Sequence, residues 1–486
     1  MKEMEKYELW FIAGSQNLYG EEVLQKVAEH SRSIAEYMDS SGKIAASIKW
    51  KPTVRSADEI CALAQEANSN PECAGLIFWM HTFSPAKMWI GGLNILNKPF
   101  LHLHTQFNRD LPWNAIDMDF MNLNQSAHGG REFGYICARM NKARKVVVGF
   151  WQDEKVIKKI DSWTRVAIAS AEMKKMKVAR IGDNMREVAV TEGNKVSAQI
   201  KFGFSVNGYG VGDLAKHIKD VSESDIAQTL DEYREEYFIP DESAEKLDSI
   251  REAARIELGL RSFLNEGDFT AFTTTFEDLH GLRQLPGLAV QRLMSDGYGF
   301  GAEGDWKTAA MLRTFKIMSQ GLEGGTSFME DYTYHLEPGN EMVLGAHMLE
   351  VCPSIAKGKP SLEVHPLGIG GKEPPARLVF DSRSGPAINI SLIDMGDHFR
   401  LLAHEIKAIE PGFDLPRLPV AKTVWKPEPD FETGVAAWII AGGAHHTVYT
   451  QALTMEFIED FAESLNIELA VIDKNTDMQS FKKIFQ

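Results

Sequence analysis

Residues 7–13 form a compact apolar run that is cut at Gly14-Ser15-Gln16, and residues 21–38 follow with Val23, Leu24, Val27 and Ile34 in helical register. The alternation continues. Residues 44–50 alternate as a strand, Ser56-x-x-Glu59 is a capping box that opens a helix, and residues 74–80 read as a buried strand. A helix after Pro85, strands at 100–104 and 145–148, and a helix over 161–176 complete the series. Short apolar strands alternating with helices predict a doubly wound α/β domain: a parallel sheet with helices on both faces and ligands at the loops that follow the strands. Gln16 and Phe83 lie in such loops. His128 stands between a polar stretch and Gly129-Gly130, on the approach to a helix.

At 486 residues the chain exceeds one core, and its texture divides it into three parts. A second strand-led α/β unit starts at residue 177. It includes an acidic stretch over 222–260, read as two surface helices with a solvated charged face, and a Thr-rich strand over 271–276 that ends in an acid-bearing loop. After residue 322 helical periodicity fades. Strands are expected at 342–351, 362–364, 376–380, 388–393 and 399–406, then a helix after His445-His446 and a strand at 468–472. The expected domains are therefore 1–176 and 177–322, both doubly wound parallel-sheet α/β, and 323–486, mainly antiparallel β.

A net charge of −16 disfavours nucleic acid and anionic membranes as partners. Cys61, Cys73, Cys137 and Cys352 sit in or beside apolar runs without paired spacing, as reduced core thiols do. The charged start, Met-Lys-Glu-Met-Glu-Lys-Tyr, lacks the apolar core of a signal peptide, and no span is long and apolar enough to cross a membrane. A cytoplasmic location is expected.

Residues 299–350 carry acids and imidazoles set among Gly, Ala, Phe, Met and Leu: Glu303, Asp305, Glu330, Asp331, His347 and Glu350. A carboxylate in apolar surroundings is costly unless something pairs with it. Two glutamates and a histidine, with His445-His446 downstream, make a mixed oxygen and nitrogen donor set suited to a divalent metal such as Mn²⁺. As bare residues they read equally well as turn residues or core histidines, because their separations match no short local metal motif.

Long runs change that balance. Glu303-Gly-Asp-Trp-Lys-Thr-Ala-Ala, Gly-Gly-Thr-Ser-Phe-Met-Glu330-Asp-Tyr, His347-Met-Leu-Glu-Val-Cys-Pro-Ser-Ile and Ala-Gly-Gly-Ala-His-His446-Thr resemble L-arabinose isomerase. So do Gly-Ser-Gln16-Asn-Leu-Tyr-Gly, His-Thr-Phe83-Ser-Pro-Ala-Lys-Met-Trp, Ala-His128-Gly-Gly-Arg-Glu-Phe-Gly, Gly-Asp-Asn-Met185-Arg-Glu-Val-Ala and Thr-Thr-Thr-Phe276-Glu-Asp-Leu-His. The runs follow one order along nearly the whole chain.

The resemblance implies a fucose-isomerase-like architecture and conversion of L-arabinose to L-ribulose, the first step of L-arabinose catabolism, with slow conversion of D-galactose to D-tagatose. It implies one Mn²⁺ per subunit held by Glu303, Glu330, His347 and His446, with Glu303 and Glu330 doubling as the acid/base pair of a cis-enediol route. Gln16, Phe83, His128, Met185 and Phe276 match substrate-pocket positions. Asp305 and His445 are supporting groups, Asp305 serving equally as a helix N-terminal acid. A homohexamer with active sites at subunit interfaces is implied, His128 serving a neighbour's site. Asn17 departs from the histidine common among relatives, which touches only the pocket floor. Two other readings stay open: a related isomerase such as one for L-fucose, and a sugar-binding protein without chemistry.

Overall fold

The computed structural model describes residues 4–410, 412 and 415–485. The chain gathers into two compact units, one running to Ala171 and taking in Glu459–Asn466, the other comprising Glu172–Ile458 and the chain from Ile467.

The first unit is built on β1 (Glu8–Gly14), β2 (Ser47–Trp50), β3 (Cys73–Met80), β4 (Phe100–His104) and β5 (Lys145–Val148). They form one parallel sheet in the order β2-β1-β3-β4-β5, as the alternation predicts. Every residue of β3 is buried, which is why its sequence is an unbroken apolar run. Ser56 caps the helix Ala57–Ser69 by accepting the Glu59 N–H at 3.3 Å. The Glu59 carboxylate reaches back one residue further than a capping box requires, to the N–H of Arg55 at 2.6 Å. The expected boundaries shift in two places: β2 starts at Ser47, and the last long helix starts at Glu154.

The second unit begins with β6 (Lys177–Ile181), β7 (Ser205–Tyr209), β8 (Ala271–Thr274) and β9 (Gly299–Gly301), a parallel sheet in the order β7-β6-β8-β9. The acidic stretch forms the helices Glu223–Glu236 and Ala244–Glu266. Its charge is not wholly solvated, contrary to the sequence reading. Glu257 is only 2% exposed and accepts hydrogen bonds from Tyr233 Oη at 2.6 Å, Arg261 Nε at 2.9 Å and Arg292 Nε at 3.0 Å. Two guanidiniums and a phenol offset the desolvation of that carboxylate; Arg261 comes from the same helix four residues on, whereas Tyr233 and Arg292 come from other helices and are invisible to local periodicity.

The same unit continues into β10 (Thr326–His335), β11 (Met342–Ala346), β12 (Ser361–Val364), β13 (Ala376–Val379), β14 (Gly385–Asp394), β15 (Phe399–Ile409), β16 (Lys422–Pro427), β17 (His446–Thr450) and β18 (Glu468–Ile472). Six of these follow the order β14-β17-β10-β11-β16-β15 and close on themselves through β14–β15 pairing, so the expected antiparallel β domain is a barrel. β18 adds to β15 in parallel, and β12 pairs β13 apart from the barrel. Met329, Val343, Ile406, Trp425 and Tyr449 belong to one buried core. Two expectations are corrected. The strand foreseen over 342–351 stops at Ala346, and His446 opens a strand rather than preceding a helix directly, the helix Met455–Leu465 coming later.

Candidate active site

β9 and the helix Trp306–Met318 lie almost in contact. A Cβ on Gly299 would come within 2.1 Å of the Ala309 carbonyl, and one on Gly301 within 2.1 Å of the Asp305 carbonyl. Between strand and helix the chain turns through Glu303 at φ 58° and Gly304 at φ 80°. A left-handed glutamate is uncommon and strained backbone of this kind clusters at functional sites. The turn is pinned from below. Asp305 caps the helix by accepting the Thr308 N–H and hydroxyl at 3.2 and 2.7 Å, and Gly304 N–H bonds the Thr274 carbonyl at 3.2 Å.

The barrel presents the other half. On β10 Glu330 stands opposite His446 of β17 and Ala346 of β11, so Glu330 and His446 share a face and His347 leaves the end of β11 beside them. The His347 Nε2 lies 3.9 Å from the Glu330 carboxylate, and the His446 Nε2 lies 3.9 Å from that of Glu303. His445 Nε2 approaches Glu303 at 3.4 Å, and ligand atoms of Glu303, His445 and His446 all lie within 4.8 Å of one another. Phe328, two residues before Glu330 on the same face, packs edge-on against both His347 and His446 at 5.0 Å.

Both buried imidazoles are held from behind by a carboxylate. His347 Nδ1 meets Glu350 Oε2 at 2.6 Å, and His446 Nδ1 meets Asp305 Oδ2 at 3.2 Å. A carboxylate accepts, so each Nδ1 carries the hydrogen, and in the neutral ring each Nε2 turns a lone pair toward the glutamates. His446 Nε2 is buried and has no hydrogen-bond partner. Two such lone pairs beside two carboxylates, with carboxylates orienting the rings, are the donor set a divalent metal takes. The residues present fit the group.

Charge in the cluster is balanced pairwise. Burial opposes ionisation of Glu303, yet His445, His446 and His347 outweigh it and hold its carboxyl below the usual range. Burial likewise works against a charged His347, and Glu350, Glu330 and Glu303 overcome it, raising its pKa. For His446 burial prevails over Asp305, and the ring stays neutral more readily. Asp305, wholly buried, is still driven low: Lys307 and His446 with the Thr308 hydroxyl outweigh its desolvation.

Met185 and Phe276 follow β6 and β8, at the carboxyl ends of the same sheet that ends in Glu303. Met185 N–H donates to the Glu303 carbonyl at 3.0 Å, and the two loops are tied by Arg186, which bonds Glu277 and Asp278 at 2.8 Å. The acid-bearing loop after β8 is thus a clamp on its neighbour. In the first unit Gln16 follows β1, Phe83 follows β3, and His128 lies within the helix Ser126–Arg139, not ahead of it. The His128 ring stacks on Phe83 at 4.5 Å and its Nδ1 meets Gln125 at 3.2 Å. Glu350 and Phe328 were not among the expected site residues. Phe328 was legible as the same-face neighbour of Glu330 once β10 is a strand, whereas Glu350 was marked as an acid in apolar surroundings but given no role.

Three family models cover the chain: the L-arabinose isomerase N-terminal domain over residues 3–175, its central domain over 177–321 and its C-terminal domain over 325–468. An L-arabinose isomerase of Geobacillus thermodenitrificans is 60% identical over 485 residues, spanning 99% of this chain and 97% of its own. One of Anoxybacillus flavithermus is 61% identical over 479 residues (98% and 95%), and one of Thermotoga petrophila 56% over 483 (99% and 97%). With this breadth of identity around a cluster of two glutamates and paired histidines, the chain belongs to the L-arabinose isomerase family and is an aldose–ketose isomerase.

Proposed function

We propose that the chain interconverts L-arabinose and L-ribulose at the Glu303–Glu330 pair through a cis-enediol, with Mn²⁺ held by Glu303, Glu330, His347 and His446. The observation that carries the reading is the pair of buried imidazoles, each fixed at Nδ1 by a carboxylate and each turning Nε2 toward a glutamate. When bound, a divalent cation supplies positive charge for the oxygens of the enediolate. The protein does the rest. Glu303, kept ionised by three histidines, and Glu330 are the two carboxylates placed to take the C2 proton and return it at C1. Asp305 and Glu350 fix which ring nitrogen of each histidine is free. Met185 and Phe276 supply apolar wall, and Gln16, Phe83 and His128 are the remaining residues assigned to substrate binding.

The reading extends to D-galactose as a slow substrate giving D-tagatose, because its extra carbon lies away from C1 and C2, and to a role at the entry of L-arabinose breakdown in the cytoplasm. It also takes the working form to be a homohexamer with sites at subunit interfaces, His128 serving a neighbour. Turnover of L-arabinose in D₂O tests the route. Deuterium at C1 of L-ribulose is expected at early conversion; its absence at early and late conversion alike would mean that hydrogen moves directly as hydride. Side-by-side rates on L-arabinose, L-fucose and D-galactose test the substrate, and faster turnover of L-fucose would displace it.

A further inference from the structure

Successive residues of β10 point to opposite faces. Phe328 and Glu330 face outward, toward the histidine cluster. Met329 and Asp331 face into the barrel, together with Thr447 of β17, Asn389 of β14, His404 of β15 and Trp425 of β16, as the cross-strand pairs require. Under the helix Phe431–Ile440 this lumen is not filled by side chains. It holds a cavity of about 210 Å³ whose walls include Asp331, Asn389, His404, Trp425, Trp438 and His445.

The chemistry of those walls is specific. Asn389 is 5% exposed, and its side-chain carbonyl oxygen has no hydrogen-bond partner, although buried polar atoms are nearly always paired. His404 donates from Nε2 to the Glu428 carbonyl at 2.8 Å, which leaves Nδ1 as an acceptor, and burial keeps the ring neutral by pushing its pKa down to about 4. Asp331 adds a carboxyl group. The Trp438 indole N–H is already spent on the Ala444 carbonyl at 2.9 Å, so Trp438 and Trp425 offer the cavity apolar rings. Acceptors around aromatic faces suit a ligand rich in hydroxyl donors with C–H edges to lay on the indoles. An anion would face the Asp331 carboxyl and the unpaired Asn389 carbonyl oxygen, a wholly apolar molecule would leave Asn389 unpaired, and a hard cation would find too few oxygens.

We propose that the barrel lumen is a second binding site, for a small neutral polyol or sugar, distinct from the Glu303–Glu330 cluster on the outer face of the same strands, with His445 as the one wall residue that also touches that cluster. The mouths of β-barrels are recurrent ligand sites. The site stands on the lumen's own geometry and does not depend on the metal or on the route of isomerisation.

Equilibrium dialysis of the intact protein against radiolabelled L-arabitol, an acyclic pentitol, tests it. Two molecules per chain are expected in the wild type. Asn389→Leu keeps the branched outline of the side chain and removes its unpaired acceptor, and Val435→Trp fills the cavity from a partly exposed helix position that lines it. Each variant, with its thermal midpoint recorded to confirm folding, is expected to retain one molecule per chain. One molecule per chain in the wild type and still one in a folded Val435→Trp protein would overturn the proposal. So would two in a folded Val435→Trp protein, since the probe would then lie elsewhere.

Discussion

Glu303 illustrates how much one residue is asked to do. It sits at φ 58°, is partly buried, and faces three histidines. Its replacement by Gln keeps the shape and removes the charge, and Glu330→Gln does the same across the cluster. Each is expected to lower kcat by about 10²-fold or more, the span a general acid or base supplies, as read by initial rates of ketose formation. Near-normal rates in either variant would take that residue out of the proton path. Asp305→Asn and Glu350→Gln act through the histidines. They should weaken Mn²⁺ binding by roughly 10–100-fold in calorimetric titration, as loss of a ring-orienting carboxylate does, and unchanged affinity would reduce both to structural roles. Glu303, Glu330 and His347 were legible because charged residues in apolar, glycine-rich surroundings need a reason to be there. The role of Glu350 was not, because it is defined by a 2.6 Å contact to His347 that no spacing rule encodes.

At the scale of elements, a long uninterrupted apolar run such as β3 was readable and a strand of mixed exposure such as β10 was not. β3 is buried throughout and its apolar run marks it; β10 is buried over its first four residues and opens to solvent through Tyr332–His335, with two acids at the crossover. Period-two reasoning fails there because the bulge between Asp331 and Thr333 shifts the alternation. Asp305 was expected as either a helix N-terminal acid or a support for the site, and it is both, capping Thr308 and holding His446. The approach of β9 to the helix Trp306–Met318 gives a sharper test. Gly299→Ala forces a Cβ to within 2.1 Å of a backbone carbonyl and should destabilise the protein by about 1–3 kcal/mol. Gly134, in the helix Ser126–Arg139, has nothing within 4 Å of its absent Cβ, so Gly134→Ala should be neutral or stabilising by up to about 1 kcal/mol. Denaturant midpoints of the two variants moving in the same direction would contradict this account of the packing.

For the whole molecule, alternation of strand and helix sufficed to foresee two parallel sheets. Closure of the barrel was beyond it: β14 and β15 form a local hairpin with Asp394 opposite Phe399, but the ring is completed by β17 lying between β14 and β10 and by β16 beside β11, pairings of distant segments with no local signature. Assembly is the remaining level. If His128 serves a neighbour's site, His128→Ala and Glu330→Gln break different halves of it. Unfolding and co-refolding the two variants together should then restore part of the activity in mixed oligomers, whereas mixed oligomers no more active than either parent would confine His128 to its own subunit or remove it from catalysis. A divalent metal at Glu303, Glu330, His347 and His446 is the centre of the proposed chemistry, and one titration addresses it directly: Mn²⁺ added stepwise to exhaustively demetallated protein, with bound metal by elemental analysis and L-ribulose formation measured on the same samples. The predicted result is no turnover at zero metal and activity rising in proportion to occupancy up to one Mn²⁺ per chain. Full L-ribulose formation by protein that elemental analysis finds metal-free would contradict it.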